Sequence, residues 1–218
     1  MDQILSRIYD VLLSLPVVLI ALSVHELMHG YAAYRLGDPT AKFLGRLSLN
    51  PLRHIDPFGF ICLLLFRVGW AKPVSVNPRF FKNPKRDMAI TALAGPLSNF
   101  LLAFLASFLY VFLWKAGFQY GWNSLFFYSS VLDMAIMMVT INLGLGVFNL
   151  IPIPPLDGSK ILYAFLPQRV ILKIAPYEPY MQFGLLFLLA LGILSTPINA
   201  VVSFLYSTFM NLAVGVFF

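Results

Sequence analysis

Charge is scarce in this chain. Only 11% of its 218 residues are Asp, Glu, Lys or Arg, against about 25% in an ordinary soluble domain. With 60% of residues hydrophobic, too few polar side chains remain to cover a water-soluble globule, so that class is excluded. Cysteine is scarcer still: Cys62 stands alone, which excludes an internal disulfide and any multi-cysteine metal cluster. Histidine occurs three times and glutamate twice, so a site built on imidazole and carboxylate must draw on a handful of positions.

What is abundant is apolar length. Several runs approach or exceed the roughly 20 residues that cross a bilayer, among them "IYDVLLSLPVVLIALSV", "MAITALAGPLSNFLLAFLASFLYVFLW" and "SLFFYSSVLDMAIMMVTINLGLGVFNLI". The expected fold is an all-α polytopic membrane protein forming a single membrane-embedded domain over residues 1–218. Long helices are expected near 8–36, 88–114 and 126–149, with a short helix near 158–166. A final hydrophobic stretch, 181–218, is interrupted at "STP" (195–197), giving five or six transmembrane helices in all.

The formal charge of +6 does not form a nucleic-acid footprint. Arg35, Lys42, Arg46, Arg53, Arg67, Lys72, Arg79, Lys82, Lys85 and Arg86 all lie between the first two long apolar runs, whereas the next connection holds only Lys115. By the positive-inside rule the 35–87 loop faces the cytoplasm. No nucleic-acid partner is expected; the lipid bilayer is. Within that loop "GRLSLNP" (45–51) and "AKPVSVNP" (71–78) alternate polar with apolar residues and read as short strands. The apolar "FGFICLLLF" between them is too short to span. The expectation is a small re-entrant, β-hairpin-like loop whose edge could dock an extended peptide.

Inside the first apolar run sits "LSVHELMHGY", residues 22–31. Two histidines four residues apart fall on one helical face, one turn above the other, close enough to share one Zn²⁺. Glu26, beside them, is placed to take a proton from a water polarised by the metal and to pass it to the leaving amine. Chance would place such a pattern here on the order of 10⁻⁴–10⁻³ times. The bland alternative is that His25, Glu26 and His29 merely pair with neighbouring helices.

A catalytic zinc needs a third protein ligand, and His54, Cys62, Asp133 and Asp157 are the candidates. His29 lies six residues before Arg35, about 9 Å from the cytoplasmic helix end. Asp133 lies about 24 Å from the same side, while Asp157 follows "NLIPIPPLDG", whose prolines forbid helix and return the chain to that side. Depth therefore favours Asp157, with a helix N-cap as its alternative role. Asn149 is a candidate for binding a substrate strand or the developing oxyanion, and equally for a helix C-cap.

These motifs, in this order, resemble the site-2 protease family of intramembrane zinc metalloproteases: "HELMH", "GRLSLNPLRHIDPFG", "GWAKPVSVNP", "LAGPLSN" and "FNLIPIPPLDGSKIL". The resemblance covers residues 22 to about 163 and is nearest the minimal members, with no PDZ or CBS module. It implies one Zn²⁺ per chain held by His25, His29 and Asp157, Glu26 as general base, Asn149 in a substrate-contacting loop, and a transmembrane protein as substrate. A prokaryotic plasma membrane, with the active site toward the cytoplasm, is the expected location. A membrane transporter or channel with a structural metal site is the alternative function.

Overall fold

A computed structural model describes residues 2–56, 58–59, 72–122 and 125–218. The first helix, α1 (Asp2–Arg35), is followed by a single turn, α2 (Thr40–Phe43). Two long helices come next, α3 (Pro84–Tyr120) and α4 (Phe126–Asn149). The remainder comprises α5 (Asp157–Phe165), α6 (Gln168–Ile174), α7 (Glu178–Ala190) and α8 (Ser195–Phe217). Among the described residues, the four stretches long and apolar enough to cross a membrane are Tyr9–Arg35, Pro84–Tyr120, Phe127–Asn149 and Ser195–Phe217. The chain is thus a helical membrane protein.

Helix α3 is the hub, packing against α1, α4, α5 and α8. Its residues are sorted in the manner of a helix in lipid rather than in water. Ala92, Gly95, Asn99, Ala103, Ala106 and Ser107 are buried, whereas Leu97, Leu101, Leu105 and Leu109, one turn apart, are 52–58% exposed. Lipid tails are as apolar as leucine, so small residues at the seams let backbones approach while the bulky ones face outward. Ala103 and Ala106 of α3 meet Val139 and Leu143 of α4, with Phe209 of α8 closing the cluster.

Three sequence expectations change here. Residues 45–51 are turn and irregular chain, and 72–77 run as a single extended segment, so no strand forms among the described residues. The physical reason is partnering: the Val74 and Asn77 N–H groups donate to the Glu26 and Asp38 carboxylates and not to a neighbouring strand, and both segments end in Asn-Pro turns. Asn50 accepts from the Leu52 N–H at 3.0 Å and Asn77 from the Arg79 N–H at 3.2 Å, each capping a 3₁₀ turn that starts at the proline. Cys62 and most of "FGFICLLLF" lie outside the described residues. Near the C-terminus the chain breaks at 191–194, where Gly192 adopts a left-handed conformation (φ 71°), and not at "STP". Ser195 opens α8 instead, and Pro197 falls in its first turn, where a missing N–H costs nothing.

The extended segment is pinned at two points. Asp38, fully buried just beyond α1, accepts the Asn77 N–H at 2.6 Å and the Thr40 N–H at 2.9 Å. Glu26 accepts the Val74 N–H at 2.8 Å. The segment is thereby laid across α1 at the level of the HELMH turn.

Candidate metal centre

Helical spacing stacks His25 above His29 on α1, with ring centroids 4.5 Å apart and the planes nearly perpendicular. Opposite them, the proline-broken loop 150–156 delivers Asp157 as the first residue of α5, while Leu156 occupies the cap position. Gly158 permits this approach, because a Cβ there would run into the Leu150 and Ile151 carbonyl oxygens. The ligand atoms of His25, His29 and Asp157 all lie within 4.8 Å of one another, and all three residues are buried.

Hydrogen bonds decide which atoms face inward. His29 Nδ1 lies 2.7 Å from the Thr91 carbonyl, and a carbonyl can only accept, so Nδ1 carries a hydrogen and in the neutral ring Nε2 holds the lone pair. His25 Nδ1 likewise lies 2.6 Å from Asn99 Oδ1. The two Nε2 atoms are 2.9 Å apart, and they stand 3.2 and 3.1 Å from Asp157 Oδ2. Burial alone would raise the Asp157 carboxyl pKa. The Lys160 ammonium, 3.3 Å from Oδ1, works in the opposite direction and favours the ionised carboxylate. With both imidazoles neutral, two lone pairs and an anion converge on one point, the donor set that a bound cation requires. Ligands about 2.0–2.2 Å from a tetrahedral zinc stand roughly 3.3–3.5 Å apart, so the donor set fits such an ion with a few tenths of an ångström of adjustment.

A cavity of about 560 Å³ opens beside these atoms. Glu26 lines it, as do Val74 of the extended segment, Met88 and Thr91 of α3, Asn149, Lys160, and Gln182 of α7. Of the residues singled out from sequence, the structure gathers His25, Glu26, His29, Asp157 and Asn149 around this space. Asn149, the last residue of α4, also donates to the Leu145 carbonyl at 3.0 Å. His54 is kept elsewhere, bonded through Nε2 to the Ser48 carbonyl at 2.7 Å. Asp133 accepts from Tyr9 at 3.4 Å and is not part of the metal-binding group. Sequence reasoning gave Asn99, Asn142 and Thr91 no role at the site, and placed Val74 only in the expected docking strand. For the two asparagines a signal existed, since a polar side chain within a membrane-length apolar run is a functional candidate.

Gly95 sets the separation of α1 and α3. A Cβ there would overlap the His29 ring and lie 2.7 Å from His25 Cε1. Overpacking of this kind costs about 1–3 kcal/mol, and the rings displaced belong to the group that could hold the metal. Gly95→Ala is expected to lower metal affinity by roughly 5- to 150-fold, measured by competition with a chelator. An unchanged affinity would mean that α3 can back away freely.

A buried two-histidine, one-aspartate site with an adjacent glutamate, set among helices of membrane-crossing length, defines a membrane-embedded metal-dependent hydrolase. The chain belongs to Peptidase family M50, the site-2 proteases, whose model matches residues 14–191. It is 43% identical over 178 residues to YwhC of Bacillus subtilis, a match covering 80% of each chain. Rip2 of Mycobacterium tuberculosis is 31% identical over 82% of this chain and 65% of its own. MJ0611 of Methanocaldococcus jannaschii is 33% identical over 73% of this chain and 74% of its own. Each of the three is named as a candidate zinc metalloprotease. No solved structure matches the chain.

Proposed function

We propose that this protein is an intramembrane zinc metalloprotease that hydrolyses peptide bonds in or near transmembrane segments of other membrane proteins. His25, His29 and Asp157 hold one Zn²⁺, and Glu26 is the general base. The observation that carries this reading is the convergence of two imidazole lone pairs and a carboxylate at the edge of a cavity that Glu26 also lines. The bound ion supplies Lewis acidity, polarising the scissile carbonyl and the attacking water. Glu26, oriented by the Val74 N–H, takes the water's proton and delivers it to the leaving nitrogen. The segment 72–77 offers main-chain groups to an extended substrate, and Asn149 contacts that substrate or the developing oxyanion.

The whole chain acts as a single domain with five or six crossings, and a re-entrant, hairpin-like loop lies between the first two long helices. It resides in a prokaryotic plasma membrane with the active site toward the cytoplasm. Purified protein should contain one zinc per chain and cleave a model transmembrane substrate. Chelation should stop cleavage and added zinc restore it; a metal-free protein that still cleaves would sink the proposal.

Orientation has its own test. Arg79, Lys82, Lys85 and Arg86 fall within eight residues that contain no acid, so a cysteine placed at 79–86 should resist impermeant reagents added to intact cells. Labelling from outside would reverse the topology.

A further inference from the structure

Two asparagines, Asn99 on α3 and Asn142 on α4, are fully buried in helices that otherwise carry apolar length. A buried primary amide is costly unless its hydrogen-bonding groups are met. Here both N–H donors of each amide have partners. Asn142 Nδ2 donates to the Met138 carbonyl at 2.8 Å and to Met138 Sδ at 3.0 Å. Neither of those atoms can donate, so the amide is held with Oδ1 toward α3. Asn99 Nδ2 gives one N–H to that Oδ1 at 2.8 Å and the other to the Ala21 carbonyl of α1 at 3.3 Å. Only one orientation remains for Asn99, with Oδ1 facing His25 Nδ1 at 2.6 Å.

We infer that Asn99 and Asn142 are positioning residues for the metal centre: a relay from α4 through α3 that fixes the His25 tautomer and ring orientation, leaving the Nε2 lone pair aimed at the ion. The inference rests on the metal site proposed above. Reversing Asn142 would set its oxygen against the Met138 carbonyl and its N–H groups against those of Asn99; reversing Asn99 would set its oxygen against the Asn142 and Ala21 oxygens and an N–H donor against the His25 N–H. His25 would then be driven toward its other tautomer, whose Nε2 hydrogen excludes the metal. Thr91 performs the same task for His29 with a backbone carbonyl, which has no second orientation and needs no relay. The two ligands are thus oriented by different means, and only His25 is sensitive to side-chain substitution at a distance.

The test uses full-length protein in detergent, with zinc affinity read by chelator competition, ligand geometry by the visible absorption of Co²⁺-substituted protein, and thermal stability read in parallel. Outer-shell partners of metal-bound histidine typically contribute about 10- to 100-fold in affinity. Asn99→Leu is expected to lose an amount in that range and to alter the cobalt spectrum. Asn142→Leu should lose less, because the Ala21 carbonyl still holds one Asn99 N–H. Acting in series, the double variant should bind zinc no more weakly than Asn99→Leu alone. Asn142→Asp keeps an acceptor toward Asn99 but cannot donate to Met138 and buries a charge. It should therefore lose thermal stability while keeping zinc affinity near that of the parent, a split that a purely structural role does not produce. Parental affinity in Asn99→Leu, additive losses in the double variant, or a loss in Asn142→Asp that follows its stability would each overturn the relay. If the Asp variant does not fold, the Leu cycle decides the matter alone. Absence of zinc binding in the parent would instead refute the metal site itself.

Discussion

Asp157→Ala protein is expected to purify without stoichiometric zinc and without cleavage activity, whereas Asp133→Ala should keep its metal. Removing the carboxylate leaves two imidazoles whose Nε2 atoms stand 2.9 Å apart, and takes away the negative charge that Lys160 now faces. Two neutral ligands and water hold zinc weakly, because structural and catalytic sites alike use at least three protein donors. Asp133 lies in the first third of α4 in the company of Tyr9 and is not part of this group. If Asp157 acted only as a helix cap, its loss would cost about 0.5–2 kcal/mol of stability with the metal retained. Zinc stoichiometry and thermal stability measured on both variants separate the two cases. Full occupancy in the Asp157 variant would sink the ligand set.

Glu26→Gln is the complementary substitution, with the ion kept and the chemistry lost. Glutamine has nearly the same shape, and its Oε1 can still accept the Val74 N–H that Glu26 accepts at 2.8 Å. His25, His29 and Asp157 are untouched. What disappears is the ability to take a proton, a function that contributes about 10²–10⁴-fold in general acid–base catalysis. Turnover should fall by that factor while zinc content stays at the parental level. Near-parental cleavage would remove Glu26 from the mechanism, and loss of zinc would move it from base to ligand.

Much of this site is local and was therefore legible in the chain. Two histidines at a spacing of four declare a shared face as soon as the segment is helical. Asp157 was reachable by counting depth along α1 and along the chain after α4. The short elements were less legible. Alternation in residues 45–51 and 71–78 suggests strands, yet strand formation depends on a partner, and the asparagine before each proline diverts the backbone into a capped 3₁₀ turn. The pairing of Asn99 with His25 and with Asn142 spans 74 and 43 residues. No periodicity encodes those contacts, because they arise only when α1, α3 and α4 pack at one particular rotation. Gly95 is similar: glycine in a helix looks like a weakness until the rings that fill the missing side chain's place are known.

Helix α7 has only 13 residues, about 20 Å at 1.5 Å per residue, against a hydrocarbon layer of about 30 Å. A segment that short does not cross the hydrocarbon layer, and α7 is not among the helices of membrane-crossing length. Gln182, one turn into α7, lines the same cavity as Glu26. The cavity is thus walled on this flank by a helix shorter than a membrane crossing that turns a polar side chain toward it. A hydrolase working inside a membrane must obtain its second reactant, water, from somewhere. Here Gln182, Asn149 and Lys160, lining the cavity together with Glu26, offer water the hydrogen-bonding partners that draw it to that place.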